Sequence, residues 1–131
     1  MRVLALDHGE ARCGCAVSDP SGTLATPLSA IERPDTRKGL ARIATLAEEL
    51  GAERVLVGLP LTLAGEEGGQ AARAREFAEK LERRVRVPVD LYDERLTTRM
   101  ADATRGKADA DSVAAAHLLE SYLTAQGSSG A

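Results

Sequence analysis

Arg2-Val3-Leu4-Ala5-Leu6-Asp7-His8-Gly9-Glu10-Ala11-Arg12-Cys13-Gly14-Cys15-Ala16-Val17-Ser18 is the stretch that decides the fold of this chain. From Arg2 to Asp7 nearly every position is apolar, the pattern of a strand covered on both faces. His8-Gly9-Glu10 is a turn, and Cys13 to Ser18 reads as a second strand. So short a connection makes the two antiparallel, because a parallel partner needs a crossover of a dozen or more residues. Asp7 closes the first strand with a carboxylate that has no apolar neighbour to hide behind.

Beyond this pair, Asp19-Pro20-Ser21-Gly22 is a turn leading to a third extended segment from Thr23 to about Ile31, with Pro27 placing it at a sheet edge. Thr36 is positioned to cap a helix that runs to Leu50. Its stripe is Leu40, Ile43, Leu46, Ala47 and Leu50, and Gly51 is its stop. Arg54 to Leu59 is then a strand, Pro60 to Gly69 a Gly-rich loop, and Gln70 to about Arg84 a helix burying Ala74, Phe77, Ala78 and Leu81. Val85 to Tyr92 reads as the last strand and about Ala110 to Ala125 as the last helix. Strand, helix, strand, helix, strand is the pattern of right-handed parallel crossovers. The expectation is one α/β domain over residues 1–125, followed by a flexible tail at 126–131.

A chain of 131 residues, 44% hydrophobic and 28% charged, has the size and composition of one globular domain. Phe77, Tyr92 and Tyr122 are its only aromatic residues, so stacking of bases on an aromatic platform is not its mode of recognition. Its net charge of -3 excludes a generally basic coat, and a nucleic-acid partner would have to be held by a local patch or through metal. The first apolar run is cut at Asp7 and no stretch approaches a membrane span, which points to a cytoplasmic protein with no membrane partner. Cys13 and Cys15, at i and i+2 of a strand, share a face at about 6.5–7 Å, too far for an easy disulfide. They read as small, reduced core residues.

Asp7-x-Gly9-x-x-Arg12-x-Gly14 combines a strand-end carboxylate with glycines that permit a tight turn and close backbone approach. It can serve a ligand, or Asp7 can simply bond its own turn. An Asp followed by Gly also opens the phosphate hairpin of the sugar-kinase and actin fold, which needs a second lobe that this length does not supply. Gly65-Glu66-Glu67-Gly68-Gly69-Gln70 leads into a helix N-terminus where free N–H groups could meet phosphate, against the repulsion of Glu66 and Glu67. Asp93 and Glu94 point to opposite faces if the strand continues through them. Periodicity places Asp93 with Val87, Val89 and Leu91 on the buried side, yet either could be a ligand. Asp111 aligns with Ala115, Leu118 and Tyr122 on the inward stripe of its helix, where a carboxylate needs a partner; it or Asp109 could equally be the helix cap. His117 reads as a surface or half-buried helix residue. If Asp7, the acidic pair and Asp111 converge on one edge, they form a site for divalent cations.

Taken in order, Asp7-x-Gly9-x-x-Arg12-x-Gly14, Val57-Gly58-Leu59-Pro60, the stretch from Gly65 to Ala71 with Phe77, Asp93-Glu94-Arg95-Leu96-Thr97-Thr98, and Asp111-x-x-Ala114-Ala115 with Leu118-Leu119 resemble the YqgF/RuvX family. These are relatives of the RuvC Holliday-junction resolvase within the RNase H-like superfamily, and the likeness covers about Met1 to Leu123. The resemblance implies an RNase H-like fold, with a five-stranded mixed sheet of order 3-2-1-4-5 and helices on both faces. It implies a catalytic and metal-binding set of Asp7, Glu94 and Asp111, with Asp93 as the substitute for Glu94, holding Mg²⁺ or Mn²⁺, two ions in the two-metal scheme. Oxygen ligands suit such hard ions. Arg12, Arg95, Thr97 and Thr98 would contact nucleic acid, either pre-rRNA during maturation of the 16S 5′ end or branched DNA as a junction resolvase. A non-catalytic RNA-binding assembly module is the third reading. A resolvase would be a homodimer, since two symmetric cuts need two sites. The chain departs from the pattern in carrying His8 where Tyr is usual, a change expected to alter packing more than chemistry. Its 99–110 segment is short and holds only Arg99, Arg105 and Lys107 as cations.

Overall fold

The computed structural model describes residues 1–61, 64–94 and 110–129, with the side chains of 110, 111 and 127–129 outside that description. Its elements are β1 (Val3–Asp7), β2 (Arg12–Ser18), β3 (Ala25–Pro27), β4 (Ile31–Glu32), α1 (Arg37–Leu50), β5 (Arg54–Leu59), α2 (Gly69–Glu82), β6 (Val89–Asp93) and α3 (Ala110–Ser129). The sheet runs β3-β2-β1-β5-β6, with β4 also paired to β2. β1 is antiparallel to β2 and parallel to β5, and β5 is parallel to β6. This is the expected mixed sheet and order, with the third extended segment divided in two.

The division has a local cause. Ala16 pairs with Pro27 and Cys13 with Ile31, so four steps on the edge segment answer three on β2, and one residue is extra. That is the count of a β-bulge, and it makes six strands where five were expected. β6 also begins at Val89 rather than Val85. The N–H groups of Arg84 and Val85 both donate to Leu81 O, at 2.8 and 3.1 Å, so the chain is still turning out of α2 there. Pro88 then accepts the N–H of Val55 at 2.9 Å, and pairing starts. α2 spans Gly69 to Glu82 rather than 70–84, and α3 continues to Ser129, four residues past Ala125.

Both sheet faces are covered, which explains the unbroken apolar run of β1. Leu4, Leu6, Cys13, Cys15, Val55 and Val57 pack under α1 and α2 against Ile43, Phe77 and Leu81. Val3, Ala5, Ala16 and Leu56 pack under α3 against Ala115, Leu118, Leu119 and Tyr122. Cys13 and Cys15 are buried and free; the Cys13 thiol is pushed well above its ordinary range by its bond with Cys15 and by burial, so it is inert. Two buried hydroxyls tie the layers together. Ser18 Oγ accepts from Val3 N at 2.7 Å, and Ser112 Oγ from Cys15 N at 3.2 Å. The second bond fixes the first turn of α3 onto β2, one residue from Gly14. Among the described residues no helix is long and apolar enough to cross a membrane.

Thr36 caps α1 by accepting from Gly39 N at 3.0 Å, and Gly51 ends it in the left-handed region at φ 67°. Thr36→Ala should cost about 1 kcal/mol, read as a lower urea midpoint at unchanged slope.

Candidate active site

Register, more than sequence proximity, assembles the acidic residues. Asp7 sits opposite Gly14 on β2. On its other side Leu6 pairs with Val57, so Asp7 lies beside Gly58, and Gly58 pairs with Tyr92. Asp7 shares a face with Val3 and Ala5, and Tyr92 packs on that same face under α3. Glu94, two residues beyond Tyr92, therefore arrives on the side of Asp7, and the two carboxyl groups are hydrogen-bonded. Asp93 follows Val89 and Leu91 toward α1 and α2. Periodicity places Asp93 on a buried side, but both faces of the sheet are covered, so burial does not tell the acids apart; which of them meets Asp7 follows from the face Asp7 occupies.

Gly58 makes the meeting sterically feasible. A Cβ built there would lie 3.0 Å from Glu94 Cγ and 3.1 Å from its Cδ, so the glutamate occupies space that only glycine leaves open. Burial raises the pKa of Glu94 above its ordinary value of 4.5; the bond from Asp7 lowers it, and the charge of Asp93 raises it further. A hydrogen-bonded pair of carboxyls at the end of a sheet is an all-oxygen donor set suited to a hard divalent cation.

The raised pKa has a sign. The folded state binds the proton of Glu94 more tightly than the unfolded chain does. Its contribution is thus full below about 4.5 and is lost as pH rises through the folded value. Glu94→Gln, which keeps a donor for Asp7, should raise the metal-free melting temperature at neutral pH by roughly 2–5 °C and flatten the decline with pH. Melts from pH 4.5 to 8 test this, and a lower melting temperature for the variant at pH 7 would contradict it.

His8, next to Asp7, is 5% exposed. Its Nε2 lies 2.8 Å from Asp35 Oδ2 and its ring stacks on Phe77 at 4.6 Å, so it clamps the end of β1 to the approach of α1 and to α2. Its contacts pack the end of β1 at the edge of the cleft beside Asp7 and Glu94. Gly9 is demanded by the turn, since a Cβ there would lie 2.7 Å from Arg12 O.

Asp7, Glu10 and Glu94 line a cleft of about 170 Å³, facing Gln70 and Arg73 of α2. A larger groove of about 530 Å³, between α1 and the β3–β4 segment, has Glu49 as its one carboxylate among the described residues and brings no acidic pair together. Arg12 begins β2, exposed. Arg95, Thr97 and Thr98 lie outside the described residues, as does the side chain of Asp111, whose backbone belongs to the first turn of α3. Among the described residues there is no group of three His, Cys, Asp or Glu placed to hold a metal, so the described part of the site is the Asp7–Glu94 pair. His117 is half-buried on α3.

Sequence reasoning missed Gln70 and Arg73. The available signal was their i, i+3 spacing at the start of a helix, which stacks them on one face. The repulsion expected from the preceding loop is also smaller than its composition suggests. Glu67 is gripped by Arg75 through two bonds, Nε to Oε1 at 3.1 Å and Nη2 to Oε2.

A family model described as "RuvX: Holliday junction resolvase" matches residues 1–125. A Chloroflexus aurantiacus protein named "Putative pre-16S rRNA nuclease" is 41% identical over 133 residues, covering 95% of this chain and 87% of its own. A Mycobacterium tuberculosis protein of the same name is 46% identical over 132 residues, covering 93% and 78%. Among solved structures, Thermus thermophilus RuvC in complex with Holliday junction substrate superposes with a TM-score of 0.67 at 16% identity, covering 98% of this chain and 96% of the other. The fowlpox virus Holliday junction resolvase gives 0.54 at 11%, covering 96% and 99%. At those identities the likeness is one of fold.

Proposed function

From the premise that this chain belongs to the RuvX family and, like its relatives, is a nuclease, a hydrolase of ester bonds, we propose that it cuts structured nucleic acid with divalent metal and that its substrate is the 5′ region of pre-16S rRNA. The observation carrying this reading is the Asp7–Glu94 pair, hydrogen-bonded across Gly58 at the rim of a polar cleft. The names of the relatives favour the rRNA substrate. The description of the family model favours a branched DNA junction, which is the second reading and the one that would call for a homodimer.

Asp7 and Glu94 would hold Mg²⁺ or Mn²⁺, with Asp111 completing the set from the first turn of α3. When bound, two such ions supply an activated water and stabilisation of the leaving 3′ oxygen in phosphodiester hydrolysis. The chain itself positions and excludes. Ser112 ties α3 to β2 beside the partner of Asp7, His8 locks the end of β1, and Gly58 leaves the seat of Glu94 open. Arg12 and Arg95 would take substrate phosphates, with Thr97 and Thr98 as hydroxyl donors. Such contacts ignore base identity, so the choice of substrate rests on strand geometry.

Labelled pre-16S rRNA 5′ segments and four-way DNA junctions, incubated with the full chain and Mn²⁺, test the assignment. Faster cutting of the RNA supports the first reading. Paired symmetric cuts in the junction by a dimer would replace it with the second. Tight RNA binding with no cutting of either would leave an assembly module.

A further inference from the structure

The cleft holds three carboxylates, and among the described residues Arg73 is its one guanidinium or ammonium group. We propose that Arg73, assisted by Gln70, grips a phosphate of the substrate strand in this cleft, a contact that no matching motif assigns. The inference deepens the nuclease reading and rests on it.

Three observations carry it. First, α2 places Arg73 and Gln70 one turn apart, opposite Asp7 and Glu94 across the same cleft. Second, the side chain of Arg73 runs back toward the start of its helix. Its Nη1 lies 3.6 Å from the position a Cβ on Gly69 would take, so a glycine flanks the path of the guanidinium. Third, the two nearby arginines of α2 are used differently. Arg75 is tied to Glu67 by a fork of two bonds, whereas Arg73 forms no ion pair among the described residues. A guanidinium that, among the described residues, shares a cleft with carboxylates without forming an ion pair to them is placed for an anion that enters between.

The chemistry follows from charge. A cleft with Asp7, Glu10 and Glu94 repels a polyanion, and a cation held by the acids reverses this on one wall only. Arg73 offers a planar fork to non-bridging oxygens from the opposite wall, holding the strand in register without reading bases. The amide of Gln70 can donate a further hydrogen bond to the same group.

The test uses the full chain, labelled structured RNA and Ca²⁺ in place of Mn²⁺, so that binding is read without turnover. Arg73→Ala should weaken binding roughly tenfold and make the slope of log K against log[salt] shallower by about one. Arg73→Lys should restore the slope and part of the affinity, since a point charge replaces a fork. Arg83→Ala removes the same charge at the other end of α2 and should leave the slope unchanged. The Mn²⁺-induced rise in melting temperature should survive in Arg73→Ala. An unchanged salt slope in Arg73→Ala, an equal loss in Arg83→Ala, loss of the Mn²⁺ effect, or no RNA binding by wild type would each overturn the proposal. An Arg73-dependent slope in a wild-type protein that never cuts would instead sink the nuclease reading and leave the phosphate contact standing.

Discussion

Asp7→Asn should lower the Mn²⁺-dependent cleavage rate by on the order of 10³-fold or more while leaving the protein folded and able to bind nucleic acid. Asp7 ends β1 between Gly14 and Gly58, and it is the partner that Glu94 meets. Asn keeps the shape and a hydrogen-bonding group but gives up the charge that a divalent cation requires. The same change should erase a thermodynamic signature. A cation at about 100 times its dissociation constant adds about 2.7 kcal/mol to stability, equivalent to a rise of roughly 10 °C in melting temperature for a domain of this size. Wild type should show that rise with Mn²⁺ and Asp7→Asn should not. Binding of RNA should persist or tighten, because one repelling charge has gone from the cleft. A wild-type melting temperature indifferent to Mn²⁺ would mean that the acids do not form the proposed centre.

The parts of this molecule written in local pattern could be read from the chain directly. Thr36 and Gly51 bound α1, and the strand from Arg54 to Leu59 stands as expected, because a cap, a left-handed stop and a short apolar run each act over a few residues. Connection length made β1 and β2 antiparallel, whereas the order of the whole sheet came from the family likeness. What was not legible depends on pairing between distant segments. The extra residue between Pro27 and Ile31 shows only against β2, and the late start of β6 follows from how α2 unwinds at Leu81. The site divides in the same way. The family likeness already named Glu94 ahead of Asp93, but the physical reason shows only in the register that places Tyr92 beside Gly58 and in the packing of Tyr92 under α3. Arg73 was passed over because its i, i+3 spacing from Gln70 gains meaning only once the wall opposite it is known. Asp111, Arg95, Thr97 and Thr98 remain expectations from that likeness, since the structure describes none of their side chains.

Gly58→Ala should separate stability from activity in opposite directions. The close approach at Gly58 involves a carboxylate arm rather than backbone: a Cβ there would lie 3.0 Å from Glu94 Cγ and 3.1 Å from its Cδ. An arm can swing aside, so the sheet survives, and φ at Gly58 is not among the positive values that strain a side chain. Replacing a strand glycine by alanine also lowers the entropy of the unfolded chain, a gain of about 0.4–1 kcal/mol. The metal-free variant should therefore melt no lower than wild type, or a few degrees higher. Glu94, however, must leave its place beside Asp7, and a displacement of about 1 Å at a reacting centre costs on the order of 10²-fold in rate. The Mn²⁺-induced stabilisation should shrink with it, because the two carboxylates no longer converge. Melts with and without Mn²⁺, set beside single-turnover cleavage, read both effects on one preparation. Wild-type cleavage by a Gly58→Ala protein of undiminished stability would show that the placement of Glu94 over Gly58 has no part in catalysis.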